Sequence, residues 1–364
     1  MVPSMKLTLQ LQLLPSAEQK ALLLQTMERF NEAASYAAGV GFATKVFSQA
    51  TLHKRSYREL RKRFGLSAQM AVRAIGKAVE VFKRDKSKRP VFRPHGAVTY
   101  DQRILGFKGP AKVSLWTLSG REVVSMVYGE YQRERFDRIK GQCDLVYRDG
   151  RFYLLATIDL PEGAPVEAKD FLGVDLGVVH LATDSDGNAY SGEAAEKVRQ
   201  RHHRHKKRLQ PLQTRGAKKL LRRLAGQESR FRRHQNHVIS KKLVALAKDT
   251  ARGIALEDLH GIRERARFRK AQRAQISGWA FDQLRLFVGY KAKLSGVSVV
   301  MVDARHTSQT CSVCGHCERG NRRTQARFEC LHCSYSSNAD HNGARNIRAR
   351  AACRPALELA SLVA

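Results

Sequence analysis

Four of the chain's seven cysteines stand as two pairs, Cys311-x2-Cys314 and, after fifteen residues, Cys330-x2-Cys333. Each pair presents two thiolates, and four thiolates complete a tetrahedral Zn²⁺ site closed to water. The spacing therefore predicts a single structural zinc in a ribbon, not a catalytic zinc, which needs an open position. Gly315 follows the first knuckle, where the turn is tight, and Arg305, Arg319, Arg322, Arg323 and Arg327 surround the ribbon in sequence. Cys317 is a spare thiol beside the first pair, while Cys143 and Cys353 stand apart. An odd cysteine count grouped in this way is metal-site usage in a reducing compartment, not a disulfide framework.

Three acids occupy settings that ask for compensation. Asp175 lies inside the apolar run Leu172-Gly173-Val174-Asp175-Leu176-Gly177, and Glu257 closes the run Ile254-Ala255-Leu256. Asp340 opens a helical pattern, Asn338-Ala339-Asp340-His341-Asn342-Gly343-Ala344-Arg345-Asn346-Ile347. A carboxylate in or beside a core strand is costly unless a metal or hydrogen bonds compensate it. Singly, each has an ordinary explanation: a turn acid, a salt-bridge partner, a helix N-cap. Brought together from separate segments, they would hold two hard Mg²⁺ ions through oxygen ligands.

The charge balance names a substrate class for such chemistry. Across 364 residues, 66 Lys and Arg oppose 33 Asp and Glu, a net charge of +33. Self-repulsion of that size opposes the compact state, so a polyanionic partner is expected, nucleic acid first. The same balance excludes an acidic small-molecule enzyme and a secreted disulfide scaffold. No apolar run reaches the roughly 18 residues that a membrane span needs. The N-terminal Met5–Leu14 alternates apolar and polar residues, which is a half-buried strand and not a signal peptide. A cytoplasmic, nucleoid-associated protein of two or three domains is the expectation.

The elements that must position these residues follow from periodicity. Residues 5–13 read as a strand, and Ser16 with Gln19 forms a capping box ahead of Leu22, Leu23, Leu24 and Met27. Helices are predicted over roughly 53–64 and 68–84, and the pattern breaks at Lys83–Pro90. Short strands follow through 160, among them Val91-Phe92-Arg93, with Asp149-Gly150 as the clearest hairpin turn. A helical insertion thus interrupts a small β domain. A second unit opens near 170 with a strand pair closed by Ser185-Asp186-Gly187. The stretch 199–237 carries fourteen Lys and Arg, five His and one acid, Glu228. It reads as a helix pair too one-sided for intrahelical salt bridges, hence a phosphate-facing surface. An amphipathic helix over 238–250, a buried strand at 253–259, a helix over 279–294, a strand at 297–302 and a last helix from about 338 complete the chain.

In this order, Gly173-Val174-Asp175-Leu176-Gly177, Leu256-Glu257-Asp258-Leu259, Thr307-Ser308-Gln309-Thr310-Cys311-Ser312-Val313-Cys314-Gly315 and 338–347 resemble the TnpB family. TnpB proteins are RNA-guided nucleases encoded by insertion sequences and relatives of type V CRISPR effectors, with split RuvC motifs and an inserted zinc ribbon. Trp279-x-Phe281-x2-Leu284, Tyr290-Lys291-Ala292 and Gly296 match the segment between the second and third motifs. The resemblance is specific over about 170–350; Pro90-Val91-Phe92 and Tyr100-Asp101 extend it more weakly into the β domain. One departure is His306 at the exit of the strand before the ribbon.

The resemblance implies an α+β multidomain chain: a β-barrel wedge interrupted by a helical recognition insert, then an RNase H-like (RuvC) α/β domain with an inserted zinc ribbon. The implied limits are wedge 1–15 and 90–168, recognition 16–89, RuvC 169–304 and 337–352, ribbon 305–336 and a tail 353–364. Asp175, Glu257 and Asp340 carry over as catalytic Mg²⁺ ligands, and Cys311, Cys314, Cys330 and Cys333 as Zn²⁺ ligands. Implied partners are a guide RNA transcribed with the transposon and double-stranded target DNA. Lys206, Lys207, Arg208, Lys218, Lys219, Arg222, Arg223, Arg232 and Arg233, with the basic stretch 262–273, are the candidate nucleic-acid contacts. Two rivals are a guided DNA-binding repressor and a transposase or recombinase accessory protein. A repressor is expected to lose one of the three acids, and this chain keeps all three; no strand-transfer or transposon-end module is evident in the sequence.

Overall fold

The computed structural model describes residues 3–259 and 281–353. The chain divides into two compact units, Met1–Pro161 and Glu162–Ala364. The basic stretch 262–273, Trp279 and the tail from 354 lie outside the described residues.

The first unit opens with β1 (Ser4–Leu14), in which Leu9, Leu11 and Leu13 alternate inward. Ser16 caps α1 (Ala17–Thr44): its hydroxyl accepts from Gln19 N–H, and the Gln19 side chain accepts from Ser16 N–H, both at 3.2 Å. The capping box read from the sequence is therefore in place. α2 (Gln49–Phe64) and α3 (Ala68–Arg84) follow, and α3 buries Met70, Ala74, Ile75, Ala78 and Phe82 at helical spacing. The chain then forms β2 (Val98–Tyr100), β3 (Leu105–Lys108), β4 (Lys112–Thr117), β5 (Gly120–Val127), the short α4 (Glu130–Arg133), β6 (Ile139–Arg148) and β7 (Arg151–Pro161). The sheet order is β2-β6-β7-β1-β5-β4-β3. The sheet nearly closes: the buried Tyr100 of edge strand β2 donates its hydroxyl to the Trp116 carbonyl of β4 at 2.9 Å. Leu23, Met27 and Phe30 of α1 share one core with Leu11, Leu13 and Leu154 of the sheet. The β6–β7 hairpin turns at Asp149-Gly150, both at positive φ (50° and 81°), as the right-handed strand twist prefers.

Val91-Phe92-Arg93 forms no strand, contrary to the sequence reading. Pro90 and Pro94 bracket it and remove ladder donors, and Phe92 N–H instead donates to Ser35 Oγ at 2.9 Å.

The second unit contains β8 (Phe171–Asp175), β9 (His180–Asp184), β10 (Ala189–Ser191), α5 (Glu193–Leu209), α6 (Arg215–Asp249), β11 (Gly253–Asp258), α7 (Phe281–Ser295), β12 (Val299–Asp303), β13 (Arg327–Glu329), β14 (Ser336–Asn338) and α8 (Ala339–Ala352). Its sheet runs β10-β9-β8-β11-β12, with β11 parallel to both β8 and β12, and β9 antiparallel to both β8 and β10. Leu172, Val174, Ile254 and Leu256 point to one face, against Leu243 and Val244 of α6 and Leu284 and Val288 of α7. Ala255, Val300 and Val302 point to the other, against Ile347 and Ala351 of α8. Residues 162–168 belong to this unit, not to the β domain as expected: Gly163 N–H donates to Lys293 O and Val166 N–H to Gly296 O, at 3.0 and 2.7 Å. α6 also corrects the sequence reading, because one helix runs through Asp249 where two were expected. Nothing between Arg230 and Asp249 is Gly or Pro, so nothing breaks the backbone ladder there.

Candidate metal centres

Strand alternation decides where two of the acids point. In β8, Leu172 and Val174 enter the α6–α7 core, so Gly173 and Asp175 face α8. In β11, Ile254 and Leu256 enter that same core, so Ala255 and Glu257 face α8 as well. The two strands are parallel with Leu256 opposite Val174, which sets Glu257 and Asp175 side by side at the carboxyl ends of adjacent strands. Ligand sites of open α/β sheets form at those ends.

α8 brings the third acid. Asn338 caps it, its Oδ1 accepting from Asp340 N–H at 2.9 Å and His341 N–H at 3.2 Å. Asp340 is buried in the first turn, one turn before Gly343. A Cβ at Gly343 would lie 3.5 Å from Asp175 Cγ, so the Asp175 carboxyl rests against the glycine beside Asp340. The helix comes this close because Gly173 gives it room: a Cβ there would stand 2.1 Å from Ala344 O and 2.5 Å from Arg348 N.

The arrangement is electrostatically strained. Asp175 is held well above the usual carboxylate range, by burial first and then by the charges of Glu257 and Asp340. Burial also raises Glu257, against the Thr307 hydroxyl and the Arg350 and Arg322 cations, which favour its ionised form. Thr307 Oγ1 donates to Glu257 Oε1. His180 Nδ1 lies 3.2 Å from one Asp340 oxygen, and an Arg322 NH2 nitrogen lies 3.5 Å from the other. Crowded carboxylates whose charge the protein leaves only partly met are a donor set for a hard divalent cation.

Sequence reasoning missed His180 and Thr307 and took Arg322 only as ribbon charge. His180 opens β9, the second strand of a pair that was legible. Folding that pair back on itself would have brought the ring near the acids.

The cysteines meet as a second centre. Cys311 and Cys333 sulfurs are 3.7 Å apart, Cys314 and Cys330 sulfurs 3.6 Å, and all four lie within 4.8 Å of one another. Four thiolates about 2.3 Å from a tetrahedral zinc stand roughly 3.8 Å apart, so the cluster fits Zn²⁺. Among the described residues it is the one group of three or more His, Cys, Asp or Glu gathered this tightly. Burial pushes the Cys330 thiol up, but the backbone amides of Cys333 and His332 and the neighbouring thiols outweigh it and bring it to about 6. Cys317 stays outside the cluster, in a backbone bridge with Thr310. Buried Asn321 holds the fold around it, donating to Gln309 O and His316 O and accepting from Leu331 N–H.

The candidate nucleic-acid contacts fall on α5 and α6. Lys207, Arg208, Lys218, Lys219, Arg222, Arg223 and Arg233 are exposed, while Lys206 and Arg232 are half-buried. The helices are joined by buried His202 and Glu228, 3.5 Å apart, and Lys206 Nζ also reaches Glu228 at 3.9 Å.

The α+β fold, with its nearly closed sheet, is similar to the folds of solved Cas12 effectors. The structure superimposes on a Cas12f1 protein from a Cas12f1–sgRNA–target DNA complex with a TM-score of 0.63, at 14% identity, covering 95% of this chain and 99% of that one. A second, the mini-RNA-guided endonuclease CRISPR-Cas_phi3, gives 0.56 at 10% identity, over 98% and 94%. The sequence narrows the class. Residues 157–260 match the OrfB_IS605 family, a probable transposase, and residues 281–347 match the Cas12f1-like TNB domain. The resemblance to the TnpB family is borne out over these two segments.

Among curated proteins, the CRISPR-associated endodeoxyribonuclease Cas12f1 of Sulfoacidibacillus thermotolerans is 30% identical, over 63% of this chain and 56% of its own. The putative RNA-guided DNA endonuclease InsQ of Escherichia coli K12 is 31% identical, over 55% and 54%. A TnpB-like protein of Methanocaldococcus jannaschii is 26% identical, over 53% and 74%. The chain spans about half the length of the first two. No helix among the described residues is long and apolar enough to cross a membrane.

Proposed function

We propose that this protein is the RNA-guided double-stranded DNA endonuclease of an insertion sequence, cutting target DNA beside a short adjacent motif. The observation that carries the reading is the convergence of Asp175, Glu257 and Asp340 from three segments onto one face of one sheet. In this reading the first unit is a β-barrel wedge with α1–α3 as its recognition insert. The second is a RuvC domain of RNase H type, with the zinc ribbon inserted between β12 and α8.

Two Mg²⁺ ions bound by these acids would supply an activated water and stabilise the leaving 3′ oxygen. The chain's own residues prepare that site. β8 and β11 fix the spacing of Asp175 and Glu257 through their parallel register. The N-terminus of α8 presents Asp340, whose two oxygens are oriented by His180 and Arg322. The four cysteines would hold one structural Zn²⁺ and so fold the ribbon that carries Arg322. Base pairing by a guide RNA transcribed with the transposon would supply sequence choice, leaving the protein to hold the heteroduplex by its backbone. The exposed cations of α5 and α6 suit that task.

The test is cleavage of a plasmid carrying a matched target, by protein purified with its co-expressed guide RNA. Linear product requiring both guide and Mg²⁺ is expected. Guide-dependent binding without any cut at saturating Mg²⁺ would favour the repressor reading.

A further inference from the structure

We propose that Thr307 is a positioning residue for Glu257, and that through it the zinc ribbon sets the divalent-metal affinity of the acid site. The inference rests on the acid site being a metal site. Thr307 is buried (4% exposed) in the segment between β12 and the first cysteine knuckle. Its hydroxyl lies between Glu257 Oε1 and the Ala304 carbonyl, at 2.5 and 3.0 Å, and the closer, charged acceptor takes its single proton, leaving Oε2 for another partner. A flexible glutamate arm is thereby pinned at one oxygen, as outer-shell hydrogen bonds pin metal-bound carboxylates.

Thr307 is itself held in a chain of contacts that ends at the cysteines. Asn346 Nδ2 donates to the Thr307 carbonyl at 2.8 Å and to the Thr310 carbonyl at 2.7 Å. Asn342 Nδ2 donates to that same Thr310 carbonyl at 2.8 Å, and Asn342 Oδ1 accepts from Ser312 N–H at 3.0 Å. Ser312 is bonded in sequence to the zinc-site residue Cys311. Both asparagines are buried on α8, the helix that presents Asp340. Two of the three acids are thus braced by a segment anchored at a cysteine pair. Loss of zinc removes that anchor, loosens 307–312 and frees Glu257.

The experiment is calorimetric titration of Mn²⁺ into the full chain free of nucleic acid, with zinc content measured in parallel. Thr307→Val should weaken Mn²⁺ binding roughly tenfold or more at unchanged zinc content, and Thr307→Ser should stay within about twofold of the parent. Cys330→Ser should lower zinc content and weaken Mn²⁺ binding in the same direction. Parental Mn²⁺ affinity in Thr307→Val overturns the proposal, and so does equal weakening in Thr307→Ser. Mn²⁺ binding that Glu257→Gln leaves unchanged overturns the acid-site reading instead.

Discussion

Three carboxylates packed together where two strand ends meet a helix N-terminus are an expense that a fold keeps only for a use. Replacing Asp175, Glu257 or Asp340 singly by Ala removes a proposed metal ligand and one of the three mutually repelling carboxylates. Each variant is therefore expected to retain or gain thermal stability, to bind guide RNA as the parent does, and to lose cleavage. Phosphate neutralisation by Lys and Arg, not the acids, governs affinity for RNA. A melting curve, a filter-binding titration and a plasmid assay on the same preparation separate these effects. Cleavage above trace rate at saturating Mg²⁺ in any of the three would remove that residue from the site. The acids and the cysteines were legible because their cost or their spacing is local. Asp175 sits in an apolar run, Glu257 closes one, and each cysteine pair encloses two residues. Thr307 and His180 were not legible, because what marks them is a partner that only the fold supplies.

At the scale of elements, the site depends on how closely α8 approaches β8. Gly173 faces that helix, and a methyl there meets helix backbone, Ala344 O and Arg348 N, which cannot rotate aside. Gly173→Ala is expected to cost about 3 kcal/mol, the upper end of overpacking, and to push Asp340 away from Asp175. Chemical denaturation measures the first effect, and a higher Mg²⁺ requirement for cleavage the second; a neutral variant would mean that α8 slides without penalty. The ribbon makes a second prediction at this scale. Cys330→Ser should lower zinc content and destabilise the ribbon, whereas Cys143→Ser and Cys353→Ser should leave zinc stoichiometry unchanged, because metal binding there is folding energy. Full zinc occupancy in Cys330→Ser would mean that Cys317 or His332 substitutes. Element types were mostly readable from period and caps, as at Ser16 and Asp149-Gly150. The errors came where a local signal was overridden: prolines cancelled the apolar strand pattern at 91–93, and an unbroken backbone ladder carried α6 past the expected join.

For the whole molecule, the net charge of +33 fits the proposed nucleic-acid partners, and the question is which cations would meet them. If α5 is only a solvated helix, removing its charge should change solubility and leave nucleic-acid affinity alone. If it lies along a nucleic-acid backbone, each lost phosphate contact should reduce the salt slope of log K by roughly 0.9 for duplex and 0.7 for single strand. The structure sharpens the choice of residues, since Lys207 and Arg208 are exposed while Lys206 reaches buried Glu228. Lys207→Gln with Arg208→Gln should therefore flatten the slope by roughly 1.4–1.8, and Lys206→Gln alone by much less. Lys206→Gln should act instead on the α5–α6 junction, where it removes the ammonium that reaches buried Glu228. Binding of guide and target measured across a salt series reads both variants. Target preference should survive, because phosphates carry no base identity. An unchanged slope in the double variant would return α5 to the solvated-helix reading and move the search for the phosphate contacts to the exposed cations of α6.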